Sequence, residues 1–327
     1  MSVSSSTITF RLSDPGTSLA QDPAMMEYLR SYDFPCPPDV RYGYTRIESN
    51  QQKDRVNLFG QAWVPAHPVG TVAIFHGYGE HSGNYSRLAR DFIDNRYAVI
   101  MMDLRGHGLS EGPRGHAPTP TAYAEDWECF LNQIFPMVLP NLPLYFWAHS
   151  LGALTAMQVL RRPNLPVRPR GVVLSSPFLG FPEITGVKKI LTKMAPFLAK
   201  VLPSLPVAHG IGPEILSHDE EYLARRFEDP LNGKVSTPLW YLSAKAAIKE
   251  IQANAEEFQT IAPTLLMLAG SEMVTNLNEA RKFAFRAYAG MTHKVIEFPS
   301  YYHELEKEKA IRPRVVAESI AWFKSHG

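Results

Sequence analysis

Short apolar runs alternate with helical stretches along most of this 327-residue chain, and this alternation limits the fold more than any other feature of the sequence. Several of the runs are apolar throughout, as in strands that helices cover on both faces of a parallel sheet. The pattern therefore predicts an α/β fold with a mostly parallel, doubly wound sheet. The predicted strands are VNLFGQAWV, TVAIFHG, YAVIMMD, PLYFWAHS, GVVLSS, TLLMLAG and KVIEFP, and the predicted helices are NYSRLARDFIDN, TAYAEDWECFLNQIF, LGALTAMQVLRR and EKAIRPRVVAESIAWFKSHG.

One stretch, residues 177–236, interrupts this alternation because it offers no strand candidate and reads as apolar helix broken by prolines. We interpret it as a helical cap inserted into a core of residues 46–176 and 237–327. A long helical crossover between two strands would give the same pattern. Residues 1–45 are rich in Ser and Pro, so we expect part of them to form an N-terminal arm on the surface.

The composition excludes several classes of function. The 33 Lys and Arg residues nearly balance the 32 Asp and Glu residues, so no net charge attracts the chain to nucleic acid. The two cysteines, Cys36 and Cys129, lack the spacing of metal ligands, and no ligand cluster predicts a metal or an organic cofactor. Neither a secretory signal nor an apolar run of membrane-span length is recognised. We therefore expect a cytoplasmic location, with peripheral membrane contact left open.

The stretch FWAHSLGALTA, residues 146–156, places a strand, a tight turn and a helix around Ser150. This order is that of a nucleophile elbow, in which small residues flank the serine because strand and helix pass close together. Gly152 meets that requirement, and Ala148 replaces the glycine that is usual at the other position. A serine that only caps a core helix would explain the same residues, so the elbow needs support from elsewhere in the chain.

That support comes from AIFHGYGEHSGNY, residues 73–85, in which Gly77 and Gly79 follow a predicted strand. Glycines there let the backbone turn and present an amide, and an acyl-transfer enzyme needs about two N–H donors for its oxyanion. We assign the backbone N–H groups of Tyr78 and Leu151 to this role. A plain glycine-rich turn and a phosphate-binding loop are the alternatives, but no G-x-G-x-x-G or P-loop pattern is completed.

The base and the acid are expected later in the chain, in the order nucleophile, acid, histidine. Among the 11 histidines, His303 follows the late strand KVIEFP at the position that this order requires. After the strand TLLMLAG only Glu272 offers a carboxylate, and a glutamate is able to hold the imidazole in the required tautomer. The alternative is that Glu272 is a surface residue and that the acid lies elsewhere.

With these elements in order, the sequence resembles the α/β-hydrolase superfamily, and within it the monoacylglycerol lipases and lysophospholipases, also known as serine-aminopeptidase-like hydrolases. The resemblance rests on HGYGEHSGNY, MDLRGHGLSEGPRGH, AHSLGA, LSSPFL and YYHELEKE, and LSHDEEYLARRFEDPL is similar to the cap region of that group. It implies the α/β-hydrolase fold with an inserted helical cap. Ala148 and Glu272 depart from the usual glycine and aspartate. In the motif MDLRGHGLSEGPRGH, residues 102–116, we interpret Asp103 and Arg105 as residues that tie loops together.

The resemblance implies a serine hydrolase in which Ser150 attacks an ester carbonyl, His303 moves the proton and Glu272 orients His303. The expected substrate is an ester of a single fatty-acyl chain, either a monoacylglycerol or a lysophospholipid. The alternative enzyme is a short-chain carboxylesterase or peptidase of the same fold. The alternative of another class is a hydrolase-fold protein that binds an acyl ligand or a partner without turnover. Apolar cap residues such as Phe197 are candidates for contact with an acyl chain or a membrane. The oligomeric state is left open.

Overall fold

The computed structural model describes residues 22–34, 39–49, 54–139, 141–183, 186–288 and 292–327. Cys36 and residues 1–21 of the predicted arm lie outside these ranges. No helix within the described ranges is long and apolar enough to cross a membrane.

One large mixed sheet forms the centre of the described part of the chain. The strands are β1 (Arg41–Glu48), β2 (Asn57–Val64), β3 (Gly70–Phe75), β4 (Tyr97–Met102), β5 (Leu144–His149), β6 (Gly171–Ser175), β7 (Val207–Ala208), β8 (Val235–Ser236), β9 (Thr264–Ala269) and β10 (His293–Phe298). Eight of them form the sheet in the order β1-β2-β4-β3-β5-β6-β9-β10, and β7 pairs separately with β8. β2 runs antiparallel to both β1 and β4, whereas the strands from β4 to β10 in that order are parallel.

Helices cover both faces of this sheet. They are α1 (Pro23–Ser31), α2 (Ser86–Asp94), α3 (Ala122–Val138), α4 (Leu151–Leu160), α5 (Gly186–Val201), α6 (Glu220–Glu228), α7 (Pro238–Ala253), α8 (Phe258–Ile261), α9 (Leu277–Ala287) and α10 (Arg312–Ser325). Along β3, Ala73 and Phe75 pack into the apolar cluster that includes α3, α4 and α7, whereas Val72 and Ile74 pack into the cluster that includes α1, α2 and α10. Because successive strand residues point to opposite faces, apolar residues throughout β3 bury both faces. The predicted doubly wound, mostly parallel sheet is confirmed.

The N-terminal region differs from the expected surface arm. In α1, Met25 and Leu29 are buried against the sheet, together with Phe34 beyond the helix. The predicted boundary at residue 45 falls inside β1, which adds an antiparallel strand beside β2. The sequence RYGYTRIE gives a weak strand signal because the buried positions 43 and 45 hold glycine and threonine instead of large apolar residues.

The segment predicted as a cap forms α5, α6 and the two-residue strands β7 and β8. The expectation that it holds no strand was wrong, since Val207 and Ala208 pair with Ser236 and Val235. Two residues are too few for a periodic signal in the sequence. Pro196 lies inside α5 and does not end it, and we attribute this to the packing of α5 on α7, which offsets the missing backbone hydrogen bond.

Candidate active site

The predicted site residues follow four strands that end at the same edge of the sheet. Tyr78 lies after β3, Ser150 directly after β5, Glu272 after β9 and His303 after β10. Because the carboxyl ends of parallel strands meet at one edge, residues far apart in the sequence are brought together there. Tyr78, Ser150 and His303 line one pocket at this edge.

Ser150 occupies a strained turn between β5 and α4. Its backbone has φ 52° and ψ −116°, a conformation that residues other than glycine rarely adopt. Its N–H donates to the carbonyl of Ser175 at 3.0 Å, and its carbonyl accepts the N–H of Phe178 at 3.1 Å. Glycine is required at position 152 because a Cβ there would lie 2.3 Å from the carbonyl oxygen of Phe75. Within α4, all of whose residues are described, no N–H donates to the Ser150 hydroxyl, so this serine is not an ordinary helix cap.

Glu272 and His303 form a buried pair. Nδ1 of His303 lies 2.6 Å from Oε2 of Glu272, and both side chains are almost fully buried. The other carboxylate oxygen, Oε1, accepts the backbone N–H groups of Val274 at 2.7 Å and Thr275 at 3.0 Å. These hydrogen bonds fix the carboxylate in the turn after β9. This geometry does not fit the alternative of a solvated surface glutamate.

The two partners of this pair shift each other's pKa in opposite directions. Burial acts to lower the pKa of His303, but the charge of Glu272 and its hydrogen bond to the ring, together with the nearby Glu304, outweigh burial and raise that pKa above its usual 6.5. Burial acts to raise the pKa of Glu272, but the charge of His303 and two backbone hydrogen bonds hold it below its usual 4.5. Glu272 is therefore ionised at neutral pH and stabilises a protonated His303.

The two predicted oxyanion donors lie on segments next to Ser150. Leu151 is the first residue of α4, where a backbone N–H has no carbonyl partner within the helix and the helix dipole favours negative charge. Tyr78 lies in the turn after β3, between Gly77 and Gly79, and Gly79 has a φ of 70°. The turn approaches the nucleophile so closely that a Cβ on Gly77 would lie 3.4 Å from the Cβ of Ser150.

The pocket at Ser150 is small, and residues of the segment 177–236 form much of its lining. Its volume is about 80 Å³, compared with roughly 300 Å³ or more for typical small-molecule sites. The residues of this segment that line the pocket include His209, Ile211, Pro213, Leu216, Phe227 and Lys234.

A cluster of buried charged residues, which was not predicted from the sequence, lies beside His303. Glu80 and Glu304 are each 1% exposed, and the guanidinium of Arg226 contacts both, at 3.1 Å and 3.4 Å respectively. The ring of His149 adjoins the cluster and lies 4.7 Å from that of His303, measured between ring centroids. A signal was present, because Glu80 belongs to the motif HGYGEHSGNY and Glu304 directly follows His303.

Three residues of this cluster have the spacing of metal ligands. Glu80, His149 and Glu304 each offer one ligand atom, and these atoms lie within 4.8 Å of one another. Both carboxylates already contact the guanidinium of Arg226, whose positive charge opposes the binding of a cation. The donor set therefore serves an ion-pair cluster, and the expectation that the chain uses no metal or cofactor stays a prediction.

The second sequence motif ties loops together, as interpreted from the sequence. Arg105 donates two hydrogen bonds to the buried carboxylate of Asp126, at 2.6 Å and 2.7 Å, and a third to Asp54 at 2.8 Å. Asp103 accepts the backbone N–H groups of Ser82 at 2.7 Å and Leu109 at 2.8 Å. These contacts hold the loops after β3 and β4 against each other and against α3.

Known proteins share this architecture. The family model described as serine aminopeptidase, S33, matches residues 66–310. Phospholipase YtpA of Bacillus subtilis is 28% identical over 75% of this chain and 92% of its own length. An uncharacterised abhydrolase domain-containing protein of Dictyostelium discoideum is 27% identical over 83% of this chain, which spans only 28% of that protein. The crystal structure of the Paleococcus ferrophilus monoacylglycerol lipase has a TM-score of 0.71 and 26% identity, covering 83% of this chain and 99% of that one.

These matches confirm two predictions made from the sequence, the α/β-hydrolase fold and the similarity to monoacylglycerol lipases and phospholipases. They also confirm the prediction of an ester hydrolase. The match to the family model extends from the strand before the oxyanion turn to the loop after His303, and so includes all the predicted site residues. The chain belongs to the serine aminopeptidase S33 family.

Proposed function

We propose that the chain hydrolyses esters of a single fatty-acyl chain through an acyl-enzyme on Ser150, with His303 as the base and Glu272 as the acid that orients it. The observation that carries this proposal is the buried pair of His303 and Glu272, which adjoins the same pocket as the strained Ser150. His303 takes the hydroxyl proton as Oγ attacks the carbonyl carbon, and the N–H groups of Tyr78 and Leu151 hold the oxyanion. His303 then returns the proton to the leaving alcohol, and water releases the fatty acid by the same steps.

The proposed substrate is a monoacylglycerol or a lysophospholipid. The relatives of known name support this class, since they include a phospholipase and monoacylglycerol lipases. The apolar side chains of Ile211, Leu216 and Phe227 at the pocket are suited to an acyl chain. We further propose that residues 177–236 act as a cap that moves to admit this chain, because the pocket of about 80 Å³ is too small for it.

Contact with a lipid surface is the second part of the proposal. Ile190, Met194, Phe197 and Val201 are spaced along one face of α5 and are between 45% and 64% exposed. Exposed lysines lie on the same helix at positions 189, 193 and 200. An exposed apolar face bordered by lysines suits the surface of an anionic bilayer.

Hydrolysis of matched substrates tests the enzymatic proposal. Wild type and Ser150→Ala are compared on a monoacylglycerol and a lysophospholipid with the same acyl chain, on p-nitrophenyl esters of increasing length, and by labelling with a fluorophosphonate probe. We expect Ser150→Ala to lose both turnover and labelling, and wild type to prefer long chains. A preference for short chains would favour the carboxylesterase alternative. A wild type that neither turns over esters nor labels would favour a non-catalytic binding protein.

Sedimentation with lipid vesicles tests the membrane contact. Phe197→Ser is expected to reduce binding to vesicles that contain phosphatidylglycerol, while hydrolysis of a soluble short ester stays at the wild-type rate. Phe285→Ser is the matched control, because Phe285 is 84% exposed but lies on α9, outside the proposed cap. Equal binding by both variants and wild type would contradict a role for α5.

A further inference from the structure

A cationic side chain from the proposed cap contacts both loops that carry the candidate catalytic groups. Arg226 lies on α6, and its Nη1 is 3.1 Å from Oε1 of Glu80 and its Nη2 is 3.4 Å from Oε1 of Glu304. Glu80 belongs to the turn after β3 that carries Tyr78, and Glu304 directly follows His303. The guanidinium of Arg226 thus contacts both the turn that carries Tyr78 and the loop that carries His303.

Glu80 shapes the oxyanion turn through its other oxygen. Oε2 accepts the backbone N–H of Gly77 at 2.9 Å and the hydroxyl of Tyr85 at 2.6 Å, while Oε1 faces Arg226. Gly77 immediately precedes Tyr78, so a movement of this carboxylate displaces the peptide that precedes the proposed oxyanion donor. The position of Glu80 therefore matters for the geometry around the oxyanion.

Glu304 connects the loop that carries His303 to the segment 177–236. Its backbone N–H donates to the carbonyl of Leu216 in the proposed cap at 2.9 Å. Within the described residues its Oε2 has no hydrogen-bond partner, so the contact of Oε1 with Arg226 carries much of the compensation for this buried charge. Because Glu304 adjoins His303 in sequence, a shift of its side chain moves the loop that aims the imidazole.

Two carboxylates buried this deeply depend on a nearby cation. An ionised group without a partner in the interior either takes up a proton or moves towards water, and both responses change its hydrogen bonds. Lys307 is a second cation nearby, but its ammonium donates to the carbonyl of Asn84 and lies 3.9 Å from the ring centroid of Tyr85. Arg226 is the residue whose guanidinium contacts Glu80 and Glu304 together.

We propose that Arg226 is a positioning residue, which makes the correct placement of the oxyanion turn and of His303 depend on the seating of α6 against the core. The inference rests on the proposed function of Ser150 and His303. Arg226 lines the same pocket as Ser150 and His303, and in this proposal it acts through the two carboxylates that it contacts. Its loss therefore slows the chemical step even for a short ester that has no long acyl chain to place.

Steady-state hydrolysis of p-nitrophenyl acetate by Arg226→Met and Arg225→Met tests the inference. Arg225 is the matched control because it is the preceding residue of α6 and its side chain is 49% exposed. Its ion pairs among the described residues are long, at 3.7 Å to Asp33 and 3.8 Å to Glu221. We expect Arg226→Met to lower kcat by about tenfold to a hundredfold with little change in KM, since small misplacements of catalytic groups have effects of this size. Arg225→Met is expected to match wild type.

Two further variants separate positioning from a general loss of structure. Arg226→Lys keeps the charge and is expected to recover part of the lost kcat. Arg226→Met combined with Glu304→Gln is expected to lose less than the product of the two single effects, because both act through one contact. If Arg226→Met does not fold, Arg226→Lys is compared with Arg225→Lys, and a loss of kcat in the first alone supports the inference.

The same measurements identify which proposal fails. An active wild type combined with an Arg226→Met variant that matches Arg225→Met contradicts this inference alone. A loss seen only in KM, or fully multiplicative effects of the Arg226 and Glu304 substitutions, contradicts it as well. A wild type without turnover or fluorophosphonate labelling contradicts the proposed function and, with it, the role of Arg226.

Discussion

Replacement of Glu272 by glutamine is the sharpest test of the proposed mechanism. Oε1 of Glu272 accepts two backbone N–H groups, and Oε2 faces Nδ1 of His303 at 2.6 Å. A glutamine has a single oxygen, and the two backbone donors keep it on their side. Its NH₂ group then faces Nδ1, which has to act as the acceptor. The proton of His303 moves to Nε2, so that nitrogen is no longer free to take the proton of Ser150.

The expected loss follows from this change of tautomer. A carboxylate-to-amide replacement that forces the wrong tautomer in a serine hydrolase lowers kcat by about 10⁴-fold, which corresponds to about 5 kcal/mol of activation free energy. Glu272→Gln keeps the size of the side chain and the two backbone hydrogen bonds, so we expect only a small change in stability. Glu272→Asp keeps the charge but shortens the reach to His303, and we expect a smaller loss.

The assay is the steady-state kcat/KM for p-nitrophenyl butyrate near pH 8, with thermal unfolding as the control for folding. A folded Glu272→Gln variant that keeps more than about a tenth of the wild-type activity would refute the assignment. The same would follow if Glu272→Asp were the more damaging of the two substitutions.

Three other predictions concern the pH profile and the framework of the site. His303 has to be neutral to accept a proton, so kcat/KM should fall as the pH is lowered. Because the pKa of His303 is raised, the midpoint of this fall should lie above 6.5. A midpoint clearly below this value would contradict the pairing of His303 with a carboxylate. Gly152→Ala should lower the free energy of unfolding in urea by about 3 kcal/mol or more, because the new Cβ would lie 2.3 Å from a backbone oxygen. Gly171→Ala is the control and should have little effect, because the nearest atom to its Cβ would lie at 3.5 Å. Similar losses in the two variants would argue against the close approach at position 152. Arg105→Met leaves Asp126 buried without its partner and should lower the free energy of unfolding by about 3–5 kcal/mol. Burial already raises the pKa of Asp126 to about 6 in the presence of Arg105. A loss below about 1 kcal/mol in urea unfolding would show that this ion pair is not a structural requirement.

Much of the sheet was predictable because its central strands are covered on both faces. Such strands are continuous apolar runs, and β3, β4 and β9 stand out in the sequence for this reason. β1 was not predictable in the same way because two of its buried positions hold Gly43 and Thr45, so the sequence contains no continuous apolar run there. The ladder of β7 and β8 holds only two residues in each strand, and its pairing is set by tertiary contacts.

The residues of the candidate site also differ in whether the sequence predicts them. Ser150 and His303 follow strands, and chain order predicts them because the carboxyl ends of parallel strands meet. Arg226 could not be predicted, because the sequence YLARRFEDPL offers two adjacent arginines that no local pattern distinguishes. Only the packing of α6 decides that Arg226 points inward, with a side chain 13% exposed, while Arg225 is 49% exposed.

The polar contacts between α6 and the core limit how this protein is able to diverge. Arg226 contacts Glu80 and Glu304, and three residues later Asp229 pairs with the buried His81 at 2.9 Å. A segment grafted from a relative that lacks Arg226 would leave the buried Glu80 and Glu304 without this partner, at a cost of about 3–5 kcal/mol for each broken contact, and loss of Asp229 would remove the hydrogen bond to His81. Substitutions on the two sides therefore have to be inherited together, and chimeric proteins need the core partners exchanged along with residues 220–229. Single substitutions on the exposed face of α5, a separate helix, leave these contacts with the core intact.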